Sequence, residues 1–349
     1  LEAQNVNLPV DHPVYSFLER MAVQQYIDYH DDVKPISRVD AAKALMSIKG
    51  FDNITSIERD EIAWYMRELT AEIENLSGDS SIRRWHLFTY SDSLFTVKLD
   101  PILAYSLEDA RTRLYKGLRF YGTLGSATGF AFSYFDNVES GKAIDRTREF
   151  IPETGTVLFR DRGTSLEYNQ ITGSVAFDMS WWRFGFGKDF MRWGSGYRSQ
   201  LILSTKAPPF PFIRLDIYPT SWLRFFYAHA WLQSGVLDST RNYSTQLVGK
   251  PRNIYREKYW ASHMLTITPI KGFDISVGES IVYSDGSPNI LFLTPILFWR
   301  SVDHYLTIKE IGDGNNSQVF LNLRSHLIKN IGLYGTLFID EIDTDNFFD

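Results

Sequence analysis

Hydrophobic and polar positions along the chain follow two different periods. From Pro13 to about Leu76 apolar residues recur at helical spacing: Tyr15, Leu18, Ala22 and Tyr26 on one face, Ala41, Ala44, Leu45 and Ile48 on another, and Ile62, Tyr65, Met66, Leu69 and Ile73 on a third. The spacing predicts three helices. Ser37 is a start signal for the second, with Asp40 three residues on. Ser56 is the start signal for the third, with Glu58, Asp60 and Glu61 in the first turn, where carboxylates suit the helix dipole. Leu76-Ser-Gly-Asp-Ser-Ser81 reads as a linker, so residues 1–80 are expected to form a small helical domain.

After Trp85 the period drops to two and stays there. Phe95, Val97, Leu99, Pro101, Leu103, Tyr105 and Leu107 alternate with Thr96, Lys98, Asp100, Ile102, Ala104 and Ser106. The same alternation recurs around Leu118, Phe130, Trp182, Ile213, Val319 and Ile331, and taken together the second face carries both signs of charge and many small residues. A soluble sandwich or propeller also alternates. The connections discriminate: short turns near 125–127, 178–180, 219–221, 269–272 and 328–330 are separated by long polar stretches at 136–163, 191–211, 233–257 and 284–316. A transmembrane β-barrel has this rhythm, because its periplasmic turns are short and its extracellular loops long.

The expected fold class is therefore mainly β: an antiparallel outer-membrane barrel over residues 81–349, preceded by three helices on the periplasmic, short-turn side. About eleven strands are visible, and the last runs into the polar segment 340–349. Bacterial single-chain barrels close with an even number, so the reading expects the closing strands to be absent from this chain.

Composition narrows the function. Lys+Arg 36 against Asp+Glu 42 gives a net charge of −6, without the basic footprint of a nucleic-acid binder. An aromatic fraction of 15% with mean hydropathy −0.21 suits a barrel and excludes a helical membrane protein. The first residue, Leu1, reads as a processed or trimmed terminus. The absence of cysteine removes thiol, disulfide and iron–sulfur chemistry, and the seven histidines lack ligand spacing, so neither a metal nor a cofactor is expected. Asp340, Glu341, Asp343 and Asp345 suit a solvated loop better than a calcium site. Gly185-Phe-Gly187 and Gly194-Ser-Gly196 lack the strand–loop–helix context of a phosphate loop and suit tight packing and a sharp turn instead.

Several segments carry a resemblance. Gly187-Lys-Asp-Phe-Met-Arg-Trp-Gly-Ser-Gly196, Leu201-Ile-Leu-Ser204 and Ala207-Pro-Pro-Phe210 are followed by Ser262-His263, Gly278-Glu279, Pro295, Gly314-Asn315, Leu333-Tyr334 and Asp340-Glu341. In this order they resemble the core pattern of the Wzi capsule-assembly family across most of residues 85–349. The resemblance implies a non-enzymatic outer-membrane barrel that holds capsular or exopolysaccharide at the surface. Its partners would be outer-membrane lipid and that polysaccharide, and family members are longer than this chain. Pro35-Ile-Ser-Arg38-Val-Asp-Ala-Ala42 resembles a single S-layer-homology repeat, which would imply contact with a periplasmic cell-wall polymer through Arg38. A bundle that plugs the periplasmic mouth is the plainer alternative.

The residues expected to hold glycan are Trp193, Tyr197, Arg198, Arg241, Tyr243, Arg252 and Tyr255, where aromatic faces stack on sugar C–H groups and polar groups bond hydroxyls. The expected lumenal network is Lys98, Asp100, Arg119, Arg183, Asp189, Arg214, Asp216, Glu279, Arg324 and Asp340. Glu279 falls on the apolar face, where a carboxylate is costly. A bulge at Gly278 that turns it inward toward Arg183 or Arg119 is the expected remedy. Two other functions stay open: a porin, against which the apolar Ile290–Ile311 segment reads as an inward plug, and a hydrolase using Ser195 or Ser204 with His229 or His263.

Overall fold

The computed structural model describes residues 6–48, 54–78, 84–108, 110–146, 159–197, 199–206, 208–244, 251–252, 254–284, 286–302 and 315–340. It opens with α1 (Val14–Val23), the short β1 (Val33–Lys34), α2 (Arg38–Ile48), α3 (Ser56–Glu68) and α4 (Thr70–Ser77). Strands β2 (Phe88–Ser91), β3 (Phe95–Glu108), β4 (Arg111–Leu124), β5 (Thr128–Gly141), β6 (Phe159–Asp161), β7 (Ser165–Met179), β8 (Trp182–Asp189) and β9 (Arg192–Trp193) follow. The remainder are β10 (Phe210–Thr220), β11 (Leu223–Leu237), β12 (Tyr243–Ser244), β13 (Pro251–Arg252), β14 (Tyr255–Ile270), β15 (Phe273–Ser284), β16 (Asn316–Ile328) and β17 (Ile331–Ile339).

The helical stripes meet as their spacing requires. Tyr15, Leu18, Ala41, Leu45, Ile62, Tyr65, Leu69 and Ile73 share one core. Ser37 caps α2 by accepting the Asp40 N–H at 3.0 Å. The cap of α3 lies one residue earlier than expected: Thr55 and Glu58 form a reciprocal capping box, which Ser56 with Arg59 could not make. The third expected helix is two, because the chain breaks at Leu69, whose φ of −100° and ψ of 27° leave the helical region. Arg38 is buried, bound to Glu72 at 2.7 Å and lying 4.9 Å over the Tyr121 ring. A side chain so enclosed is a structural strut, and the wall-polymer contact expected of it has no surface to work from.

The large strands form one antiparallel sheet in the order β2-β3-β4-β5-β7-β8-β10-β11-β14-β15-β16-β17, with β6 beside β7. Its edges, β2 and β17, are not paired with each other among the described residues. One face exposes Leu103, Tyr105, Leu107, Leu118, Phe120, Phe186, Val277, Leu333 and Leu337; the other buries Asn137, Glu139, Arg183, Arg214, Asp216, Arg224, Ser276, Asn322 and Arg324. An exposed apolar face and a buried polar one invert the pattern of a soluble sheet and match a barrel wall. The β3–β4 connection is a tight hairpin on the long-loop side, with Glu108 paired to Arg111, so short and long connections do not alternate strictly.

Two segments fill the concave, polar side. Residues 28–38 enter from the short-turn end, and residues 190–206 fold in from the long-loop end. They meet where β1 pairs with β9, Val33 opposite Trp193. Gly194, at φ +101°, turns the chain there and donates its N–H to the Asp32 carbonyl at 2.9 Å. Trp193, Met191 and Ile202 pack with Val33, Phe210, Phe226, Trp260, Met264 and Phe320 into an apolar knot inside the sheet.

The 286–302 segment lies on the opposite side. Phe292 and Trp299 pack on Tyr227, Tyr259, Ile281 and Tyr283, with Ile213, Leu215 and Phe225 around them, all on the outer face. The described part of the expected inward plug is thus an external strap, and residues 303–311 of it lie outside the described residues. Glu279 is also outward. Pairing through β15 is continuous from Lys258–Ser284 to Ile267–Ile275, so no bulge at Gly278 turns the carboxylate inward. The strap meets its need instead: Oε1 accepts the Trp299 N–H at 2.5 Å, Oε2 the Arg300 N–H at 3.3 Å, and His263 Nε2 lies 3.2 Å from Oε1.

Candidate functional site

The expected glycan residues separate into two places. Trp193 is fully buried and stands edge-on to Trp260, with ring centroids 5.6 Å apart, so its ring offers no face to a surface polymer. Its flanking apolar residues Met191, Ile202 and Leu203 pull the loop into the barrel, which corrects the reading of this loop as a surface platform. Tyr197 has 71% exposure but lies in the same inward segment, lining a cleft of about 890 Å³ between the helices and the sheet with Lys34, Arg192, Arg324, His326 and Tyr334. Arg198 and the side chain of Arg252 lie outside the described residues.

Arg241, Tyr243 and Tyr255 gather in the β11–β14 connection. Asp238 starts a local turn, its carboxylate accepting from the Thr240 N–H at 3.1 Å and hydroxyl at 2.6 Å, and those bonds hold it below the usual carboxylate range. The two limbs of the loop are laced by Asp238 N–H to the Ile254 carbonyl, 2.7 Å, and Ile254 N–H to Asn242 Oδ1, 2.7 Å. A two-residue ladder, Tyr243 opposite Arg252, extends them. Between this loop and the start of the strap is a depression of about 410 Å³ lined by Asp238, Thr240, Arg241, Arg256, Glu257 and Gly286. Its floor is fixed by the Tyr259 hydroxyl, 2.5 Å from Glu257 Oε2 and 2.8 Å from the Gly286 carbonyl. Tyr243 and Tyr255, on the two limbs of the same loop, are exposed by 48% and 51%. Carboxylates accept from sugar hydroxyls, guanidinium groups donate to them and pair with acidic sugars, and the rings supply stacking faces. Sequence reasoning missed Asp238, Thr240, Arg256, Glu257 and Gly286; the Asp-Ser-Thr turn signal at 238–240 was available.

Of the expected lumenal residues, Arg183, Arg214, Asp216 and Arg324 are buried on the inner face, and Asp100 binds His86 at 2.7 Å. Arg183 reaches Asp40 and Asp178 at 3.1 and 3.0 Å, and Arg214 pairs with Asp216 at 2.7 Å. Lys98, Arg119 and Asp189 lie half-buried on that face. Glu279 is on the outer wall, and Asp340 is exposed beyond the end of β17, outside any interior network.

The densest charge cluster was not anticipated. Arg324 pairs with Asp31 and, at 3.3 Å, with Asp274; Arg224 bridges Asp274 at 3.0 Å and Asp32 at 3.2 Å; Lys34 holds Asp31 at 2.6 Å. Burial favours the neutral form of Asp31, but Lys34 and Arg324 outweigh it and hold the carboxyl well below the usual carboxylate range. Burial dominates at Asp32 and raises it. At His30 burial opposes the charged ring, yet its hydrogen bonds to Asp274 and Asp28 raise the ring above its ordinary value. This lattice fastens the 28–38 segment inside the sheet and leaves little room for a wide aqueous path.

The pairings of Ser195 with His229 or His263 fail on geometry, and the Ser204 hydroxyl accepts the Lys206 N–H at 3.3 Å. Ser195 Oγ accepts from Asn322 Nδ2 at 2.9 Å on the concave side. His229, 2.6 Å from the Tyr283 hydroxyl, and His263, bound to Glu279, point from the convex side.

An antiparallel wall with an apolar outside, a polar and filled inside, and long loops on one rim defines an outer-membrane-type β-barrel fold. Residues 77–284, well over half of the chain, match the model of the capsule assembly protein Wzi, and the chain belongs to that family. None of the curated proteins matches it. Among solved structures it is similar to Wzi of Escherichia coli, an outer-membrane protein involved in group 1 capsule assembly and described as a carbohydrate-binding β-barrel. The TM-score is 0.52 at 15% identity, over 97% of this chain. The chain spans 64% of the length of that structure. The outer-membrane channel DcaP of Acinetobacter baumannii is more distant, with a TM-score of 0.30 at 10% identity over 72% of this chain and 76% of its own, too slight to carry an argument.

Proposed function

We propose that the protein is a non-enzymatic outer-membrane barrel that holds surface polysaccharide on its long-loop rim. The helices would then face the periplasm as a domain of residues 1–80. The observation that carries this reading is the depression lined by Asp238, Thr240, Arg241, Arg256 and Glu257, on a loop that also exposes Tyr243 and Tyr255. Acceptors, donors and aromatic faces stand together there on a framework tied to two strands, as a site for a polar polymer needs. Each exposed stacking or hydrogen-bonding contact is worth about 1 kcal/mol, so a polymer is retained by repetition of contacts along its length. The filled concave side favours this reading over a porin, and the Ser195 and histidine positions favour it over a hydrolase. Shortening the 238–254 loop to a tight turn should release capsular polysaccharide into the medium while folded protein stays in the membrane. Unchanged retention would count against the reading.

A further inference from the structure

The outer wall carries a feature that the polysaccharide reading does not use. On β11, β14 and β15 the outward positions include His229, His263, Glu279, Tyr227, Tyr259 and Tyr283, in a face that elsewhere exposes leucine and phenylalanine. Two residues along β15 from Glu279 the outward Val277 is exposed, and Leu337, in register with it across β16, is exposed as well. The polar patch therefore borders exposed apolar surface of the same wall.

The 286–302 strap covers this patch and turns its own apolar residues outward. Its inward groups are matched one by one. Tyr227 donates to the Phe292 carbonyl at 3.1 Å, the Tyr283 hydroxyl accepts the Asn289 N–H at 3.3 Å, and Glu279 takes the Trp299 and Arg300 N–H groups. The His263 ring packs against Trp299 with centroids 4.4 Å apart and the planes tilted by 42°. The polar groups on the strap's buried side are thus satisfied by the wall and not left open to hydrocarbon, as a non-strand segment packed against protein at membrane depth requires. The outward side holds Ile290, Ile296 and Phe298, exposed by 74%, 83% and 58%, and it continues the bare apolar band formed by Ile267 and Val277 below it.

We propose that the 286–302 strap is a membrane-embedded element: it dips from the long-loop rim into the outer leaflet, presents Ile290, Ile296 and Phe298 to lipid acyl chains, and is latched to the barrel by Glu279. Glu279 is a positioning residue, acting through the Trp299 and Arg300 backbone.

The chain has no native cysteine, so single spin labels report cleanly. Labels at I296C, F298C and, as an aqueous reference, T240C would be measured in the protein refolded into phosphatidylethanolamine–phosphatidylglycerol vesicles. At 296 and 298 oxygen should broaden the signal far more than a water-soluble nickel complex, with the reverse order at 240. In the E279A background the 296 label should lose that protection and gain mobility, and E279Q, which keeps an acceptor oxygen, should restore part of it. Nickel accessibility at 296 equal to that at 240 in the otherwise unaltered protein would overturn the proposal. So would dipolar broadening between 296 labels, which would mean that a second copy covers the strap. Full protection in E279A would overturn the latch. The wild-type accessibility pattern decides lipid contact even if E279A does not fold, and polysaccharide retention plays no part in the readout.

Discussion

Replacing Trp193 by alanine separates a lumenal plug from a surface platform. The indole is fully buried and packs against Trp260, Phe210 and their neighbours, so its removal deletes a large apolar volume from a knot closed on all sides. Truncations of this size cost about 3–5 kcal/mol, and the cost approaches the upper end where neighbours cannot collapse. Here Phe210, Trp260, Met264 and Phe320 are fixed to a hydrogen-bonded sheet, whereas the 190–206 segment is held by the two-residue β1–β9 ladder, the Gly194–Asp32 bond and the Ser195–Asn322 contacts, all beside the lost ring. The loss should therefore appear as release of that segment more than as unfolding of the wall. Protease should cut at Arg192 in the variant and not in the wild type, and the temperature at which the compact band converts to the extended one on unheated-sample gels should fall. Polysaccharide held per folded molecule should stay unchanged. Unaltered thermal conversion combined with a loss of bound polysaccharide would refute the burial argument and return Trp193 to the surface.

The Glu68 carboxyl gives an acid dependence. Burial raises it, but the hydrogen-bonded His12 ring 3.1 Å away overrides burial and holds it at about 2, against an ordinary 4.5. A lowered folded value stabilises the protein above the unfolded value and is lost as pH falls from 4.5 toward 2, an effect of at most about 3 kcal/mol. His12→Ala should move acid-induced protease sensitivity at Lys43 to higher pH, and an unshifted profile would contradict the assignment. In planar bilayers the protein should pass no steady current, since two segments fill its interior. Arg224→Ala, which takes the ion-pair partner from Asp32 and leaves Asp274 to Arg324 and His30, should cost about 3–5 kcal/mol and introduce fluctuating conductance. A large ohmic conductance in the wild type would speak for a channel.

Which faces of the strands point where was legible in residue order, because a period of two leaves no other way to segregate Leu103 and Tyr105 from Asp100 and Lys98. The β3–β4 hairpin was not, since Ala110 takes φ +65° without the glycine or asparagine that normally advertises such a turn. The side of the sheet to which a long loop folds is also absent from periodicity. Yet the strap left a trace: His263 and Glu279 are direct cross-strand partners on the apolar face, and His229 lies one strand away on the same side. Three such residues together need a cover, whereas Glu279 read alone suggested a bulge. Trp193 misled for the opposite reason, because a polar-looking loop with glycines at 194 and 196 reads as exposed until the apolar residues at 191, 202 and 203 are given a common side. The rim depression is assembled from residues up to 48 positions apart, Asp238 to Gly286, and no spacing rule joins them.

The most direct test of the polysaccharide reading is a binding isotherm for the purified protein and its R241A/Y243A/Y255A variant with capsular polysaccharide fragments immobilised from the same cells. Three contacts of about 1 kcal/mol each correspond to roughly a hundredfold weaker binding per site. The account predicts that loss in the variant, with unchanged heat-modifiable mobility as proof of an intact fold. Equal isotherms for both proteins, or no saturable binding by the wild type, would contradict it.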